Sequence, residues 1–248
     1  METSIDKNLF MLFQINDSLF PIGAYSHSYG LETYIQKKLV TDIDSAFEYL
    51  KCNLKSNFLY SELLAINLSY EYANNCHLDK LLRLDDILNA SKSPKEIRLA
   101  SQKLGSRFIK TLVSTDIDYK NNNFIDYVNK SRDNLPTHTV AYGVFCQSVG
   151  IDKERAIDGF LHSYVSSTIT NCVKSIPLSQ TQGQQLLCKS YDTFDEVKNT
   201  FKYYVSFIVD GGYYYEYQLK PHIKTDKEGK IDAGEVSDGY HTFNELYE

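Results

Sequence analysis

The sequence predicts an all-α protein: a single-domain helical bundle over residues 1–190, followed by a tail, 191–248, read as a β-hairpin running into irregular chain. Three observations carry that reading. Apolar side chains recur at spacings of three to five from residue 44 to 73, and again from 153 to 176, which is the period of a buried helix face. Start and stop signals punctuate the rest, most plainly Ser93-Pro94-Lys95-Glu96 and Pro177. After residue 200 the period changes to two, with Phe201, Tyr203, Val205, Phe207 and Val209 alternating with their neighbours, as in a strand.

In chain order, residues 5–15 read as a short apolar helix, broken at Phe20-Pro21 because proline disfavours helical geometry in the residue before it. A second short helix is expected from Ser28 to Lys37, with Glu32 in its early turns, where a negative charge suits the helix dipole. The long helix 44–73 carries Phe47, Leu50, Leu54, Phe58, Leu63, Ile66 and Tyr70 on one face, and Ser45 with Glu48 has capping-box spacing. A shorter helix spans 78–90, and Cys76-His77 falls at the junction before it.

Ser93, Pro94 and Glu96 supply a cap, a first-turn proline and a back-bonding glutamate for a helix striped by Ile97, Ala100, Leu104, Phe108 and Leu112. Gly105 inside it costs about 1 kcal/mol relative to alanine, so a close helix–helix approach is expected there. An Asn-rich loop near 116–123 separates this helix from short ones at 124–131 and 137–149. The stripe of 153–176 is wide, which predicts a central helix. Beyond Pro177 a Gln-rich helix occupies 179–190, and Asp210-Gly211-Gly212 reads as the hairpin turn before YYYEYQL.

Bulk properties narrow the function. Apolar residues make up 42 % and charged residues 23 % of 248, an ordinary globular balance. A formal charge of −6 with scattered basic residues disfavours a nucleic-acid partner. Five widely spaced cysteines without a CxxC pair read as reduced, buried thiols of a cytoplasmic protein. No secretory leader is read at the start, and no apolar run approaches the roughly 20 residues of a membrane span.

Catalytic readings find little. Ser26, His27 and Ser28 are neighbours in sequence, but adjacent side chains diverge on a helix or a strand and seldom form a dyad. A serine-hydrolase elbow is lacking. The six histidines show neither H-x₃-H nor H-E-x-x-H spacing, so neither catalytic nor metal-ligating residues are assigned. Residues 224–235 imitate a calcium loop, but lysine stands at the first ligand position and no helix is expected before it. Phosphate-binding glycine loops are missing as well. A helical, acidic chain without a reactive constellation points to binding or assembly rather than catalysis.

Against that background stands DSLFPIGAYSHSYGLETYI, beginning at Asp17. It resembles the N-terminal signature of the urease accessory protein family UreF, D-S-x-F-P-x-G-x-Y/F-x-H-S-x-G-L-E. Asp17, Ser18, Phe20, Pro21, Gly23, Tyr25, His27, Ser28, Gly30, Leu31 and Glu32 fall on it. The stretches EIRLASQKLGSRFIKTL (96–112), THTVAYGVFCQSVGI (137–151) and NCVKSIPLSQTQGQQLL (171–187) resemble the family too, so the likeness runs through residues 8–190. It implies a dimeric, all-α, non-enzymatic chaperone for nickel insertion into apo-urease. Such a protein binds the accessory protein UreD, also called UreH, and recruits and regulates the GTPase UreG. Nickel and GTP then belong to the partner complex, with no cofactor held by the chain itself.

The signature residues Phe20, Pro21, Gly23, Tyr25, His27, Ser28, Gly30 and Glu32 become the expected partner-binding surface. Tyrosine and phenylalanine give large contact area at low entropic cost. His27 has three open readings: partner contact, organisation of its own loop, or transient contact with nickel. Lys174 and Gln180, beside the bend at 176–178, form a second tier of interface candidates. The chain departs from the family at its end, where HTFNELYE replaces a segment resembling R-H-E-x-L-Y-S-R-L-F. Two alternatives stand beside the scaffold: a helical-core relative whose altered tail no longer docks its partner, and a Ser/His hydrolase.

Overall fold

A computed structural model describes residues 5–23, 30–92, 94–131 and 135–209, the last seven by backbone alone. Its elements are α1 (Lys7–Asn16), α2 (Leu31–Gln36), α3 (Ile43–Asn53), a π-helical segment (Leu54–Leu63) and α4 (Leu64–Asn74). Then come α5 (Leu78–Ser91), α6 (Lys95–Val113), α7 (Asn123–Lys130), α8 (His138–Val149), α9 (Lys153–Ser175) and α10 (Gln180–Val209). The fold is all-α, and no strand occurs among the described residues. Residues up to Val197 form one compact unit.

Aspartate caps fix the starts of α1, α3 and α9. Asp6 accepts from the Leu9 amide, Asp152 from the Glu154 and Arg155 amides, and Asp42 from the Ser45 amide. Ser45 answers as acceptor from the Asp42 amide at 3.1 Å, completing a capping box. The expected pair Ser45/Glu48 is therefore displaced by one turn, because the helix already starts at Ile43, leaving Asp42 in extended geometry at the cap and Ser45 inside the first turn. Pro94 occupies the cap position of α6 rather than its first turn, while Ser93 lies outside the described residues.

The predicted helix 44–73 is one rod with a widened middle. Leu54, Phe58, Leu59 and Leu63 are buried along the π-helical segment. The step of five from Phe58 to Leu63 breaks an α-helical stripe but suits a π-helical turn, whose hydrogen bonds close at i to i+5. That wider turn lets Phe58 meet both Phe160 and Tyr164 of α9, at 6.2 and 4.3 Å between ring centroids.

The core centres on α8. Ten of its residues are buried, and it packs against α4, α5, α6, α7 and α9. Helix α9 also touches α1, α2, α3, α4 and α8, as its wide stripe predicted, but its outer face remains exposed. Two glycines set how closely α8 can be approached. A Cβ on Gly143 would meet the Ser69 hydroxyl and lie 2.8 Å from the Ile66 carbonyl oxygen of α4. One on Gly105 would meet the Pro136 carbonyl oxygen and lie 2.9 Å from the His138 nitrogen. The close approach expected at Gly105 is thus against the backbone entering α8.

One sequence expectation fails at the far end. Residues 201–209 are helical, not a strand. Val197, Phe201, Val205 and Ile208 also fall at helical spacing, so both periods fit the same apolar run. Extending a formed helix avoids a second nucleation, and that settles the ambiguity. Helix α10 consequently passes through the expected boundary at 190 without a break. The second strand of the hairpin and the calcium-like loop lie outside the described residues.

Candidate partner-binding site

The signature begins where α1 ends. Asp17 caps the last turn and accepts from the Leu19 amide at 2.6 Å, while the Phe20 amide bonds back to the Asp17 carbonyl at 3.0 Å. Side chains then alternate in direction. Leu19 is 88 % exposed, Phe20 is 8 % exposed, Pro21 faces out and Ile22 is buried. The Phe20 ring lies 5.7 Å from that of Phe108 on α6, and Arg107 donates to the Ile22 carbonyl at 3.3 Å. The segment is anchored to α6 by its inward half and offers Leu19 and Pro21 to solvent.

Gly23 and Gly30 both adopt positive φ, 78° and 94°, a region nearly closed to residues with a Cβ. An added Cβ on Gly30 would meet nothing within 4 Å. Its requirement is therefore conformational. Gly30 caps α2 without a side-chain bond, Leu31 turns inward, and Glu32 stands exposed in the first turn. Tyr34 is exposed and packs edge-on against Tyr49, 5.0 Å away. Tyr25, His27 and Ser28, with Ser26, lie outside the described residues.

Lys174 and Gln180 are both exposed and flank the bend between α9 and α10. Lys174 sits in the last turn of α9, where a cation complements the helix dipole. Ser179 and Gln182 bond reciprocally, the Ser179 amide donating to Gln182 Oε1 at 2.8 Å and the Gln182 amide to Ser179 Oγ at 3.1 Å. This box starts α10, and its S-x-x-Q spacing was available in the sequence.

Two titratable groups with enclosed side-chain atoms, Asp85 and His138, escaped the sequence reading. Asp85 of α5 accepts from the Tyr127 hydroxyl at 2.6 Å and from the Thr137 amide and hydroxyl, each at 2.7 Å. It ties α5 to α7 and to the start of α8, and burial raises its pKa to about 6. His138 is enclosed by Phe108, Phe160 and Tyr142, with ring centroids 5.1, 5.4 and 6.2 Å away. Burial lowers its pKa to about 4, against a smaller opposing pull from Glu62. Phe108 thus touches both Phe20 and His138, linking the signature to the core.

Chemically, these exposed groups are equipped for contact. Among the described residues, no group of three or more His, Cys, Asp or Glu side chains could hold a metal ion. No helix there is long and apolar enough to cross a membrane.

A family model, UreF, matches residues 40–191, well over half of the chain. The chain belongs to the UreF family, the urease accessory proteins. The match covers all three downstream stretches that resemble the family, and it begins after the signature at 17–34. Family members are generally non-enzymatic accessory proteins.

Proposed function

We propose that this chain is a non-enzymatic scaffold for nickel insertion into apo-urease. It binds UreD/UreH, recruits the GTPase UreG and regulates its nucleotide cycle, working in the cytoplasm as a homodimer. Nickel is cargo of the assembled complex and GTP is UreG's nucleotide; this chain's task is to position its partners. The observation that carries the reading is membership of the UreF family over residues 40–191. The exposed Leu19, Pro21, Glu32 and Tyr34, held by an anchored segment, support contact as the chemistry of the signature.

Co-purification tests it directly. Tagged chain mixed with UreD/UreH and UreG under reducing conditions, with GTP and nickel, is expected to yield a complex of all three. Failure to retain either partner, with the chain folded by circular dichroism, would overturn the scaffold reading. Urease activation in a reconstituted mixture gives a second readout, expected to fall when this chain is left out.

A further inference from the structure

Helix α6 carries five basic side chains, Lys95, Arg98, Lys103, Arg107 and Lys110, against one glutamate, in a chain whose formal charge is −6. Lys103, Arg107 and Lys110 recur at four- and three-residue steps, so they share one helix face. All three are exposed, and neither Lys103 nor Lys110 makes an ion pair among the described residues. The same face continues into Leu99, 41 % exposed, and Val113, 54 % exposed. The opposite face, with Ala100, Leu104, Phe108 and Leu112, is buried in the bundle.

We propose that this outward face of α6, a positive strip framed by apolar ends, docks an acidic surface of a protein partner. The charge pattern selects the occupant. A strip of opposite sign to the rest of the molecule steers an acidic partner to this face and away from others. Three cations framed by leucine and valine are too few for a nucleic-acid backbone, which needs a more extended basic footprint. The strip is also continuous with the signature: Arg107 spends one of its five donor hydrogens on the Ile22 carbonyl and keeps the others. Phe20 packs on Phe108, directly after Arg107 in the helix. The two surfaces therefore form one footprint, with the exposed Leu19 and Pro21 supplying apolar contact and α6 supplying charge. This inference rests on the scaffold reading and names the chemistry of the face that its partner must present.

The test uses the full chain with UreD/UreH and UreG. Lysine acetylation read by mass spectrometry compares Lys103 and Lys110 with the exposed Lys130 of α7, free and in the complex. Binding is measured in parallel for K103E/K110E and for the reference variant K130E. The expected result is selective protection of Lys103 and Lys110 in the complex. The double reversal is expected to weaken assembly about tenfold at low salt, the gap closing as salt rises, with K130E changing it less than about twofold. If wild-type chain assembles but both lysines react as fast as when free, the docking proposal falls and the scaffold reading stands. If wild-type chain does not assemble, both fall. Protection that appears in the free chain as its concentration rises means a second copy covers the strip, and overturns the acidic-partner assignment. Should K103E/K110E fail to fold, the footprint on wild-type chain decides alone.

Discussion

Asp85 shows how one side chain can tie three helices together while working against itself. Its carboxylate receives three hydrogen bonds from Tyr127 and Thr137, yet burial raises its pKa from 3.8 to about 6. Between those values the folded chain holds the proton more tightly than the unfolded one. The stability from this group is therefore fully present below about 4 and is lost as pH rises through about 6. Asp85→Asn keeps the shape and removes the titration, so wild-type stability should rise on the Asn variant between pH 7 and 4, by at most on the order of 3 kcal/mol. Urea titrations of both chains across that range check it; a constant difference would sink the argument. Asp85→Ala strands the Tyr127 and Thr137 donors and is expected to cost about 2–4 kcal/mol. A second contrast separates anchor from surface inside the signature. Phe20→Ala should cost about 3–5 kcal/mol through lost packing on Phe108, whereas the exposed Leu19→Ala should stay within about 0.5 kcal/mol. The motif could not make that distinction, since aromatic residues read the same whether they anchor a segment or meet a partner.

Helices were largely legible because each carries its period and its punctuation together. The stripe from Ile97 to Leu112 and the stop at Pro177 lead directly to α6 and to the end of α9. What escaped was the competition between equally well-formed signals. Asp42 displaced Ser45 as the cap of α3, and the five-residue step from Phe58 to Leu63 concealed a π-helical turn. The alternation after residue 200 was overridden by helix propagation along α10. Two measurements address this scale. Ser179→Ala should cost about 1 kcal/mol by removing one arm of the Ser179–Gln182 box, readable as a lower denaturation midpoint with unchanged m-value. Amide exchange across 201–209 should show the protection of consecutive helical amides; an alternating pattern would restore the strand.

At the scale of the whole molecule, the buried groups and the surface divide the labour. Asp85, His138, Cys146 and Cys172 are enclosed in the bundle, and burial pushes both thiols upward, Cys172 to about 11. The thiolate is the form that binds a transition metal, so these two sulfurs are poor ligands at neutral pH. His138 sits among aromatic rings, and the described residues gather no cluster of three ligand-type side chains. Cys52 of α3, Cys76 in the turn between α4 and α5, and Cys188 of α10 are exposed, against the expectation that all five thiols are buried, because they fall on outward-facing positions. From this distribution the isolated chain should show only weak, sub-stoichiometric nickel binding, tighter retention emerging when UreD/UreH and UreG join it. Equilibrium dialysis with nickel under reducing conditions, on the chain alone and on the assembled complex, measures both quantities. One nickel held tightly by the chain alone would make it a metal carrier and move the chemistry from surface recognition to coordination. Retention only in the complex would tie the metal to the assembly, leaving this chain the role its exposed Leu19, Pro21 and Glu32 and the α6 strip suit it for: holding partners in register.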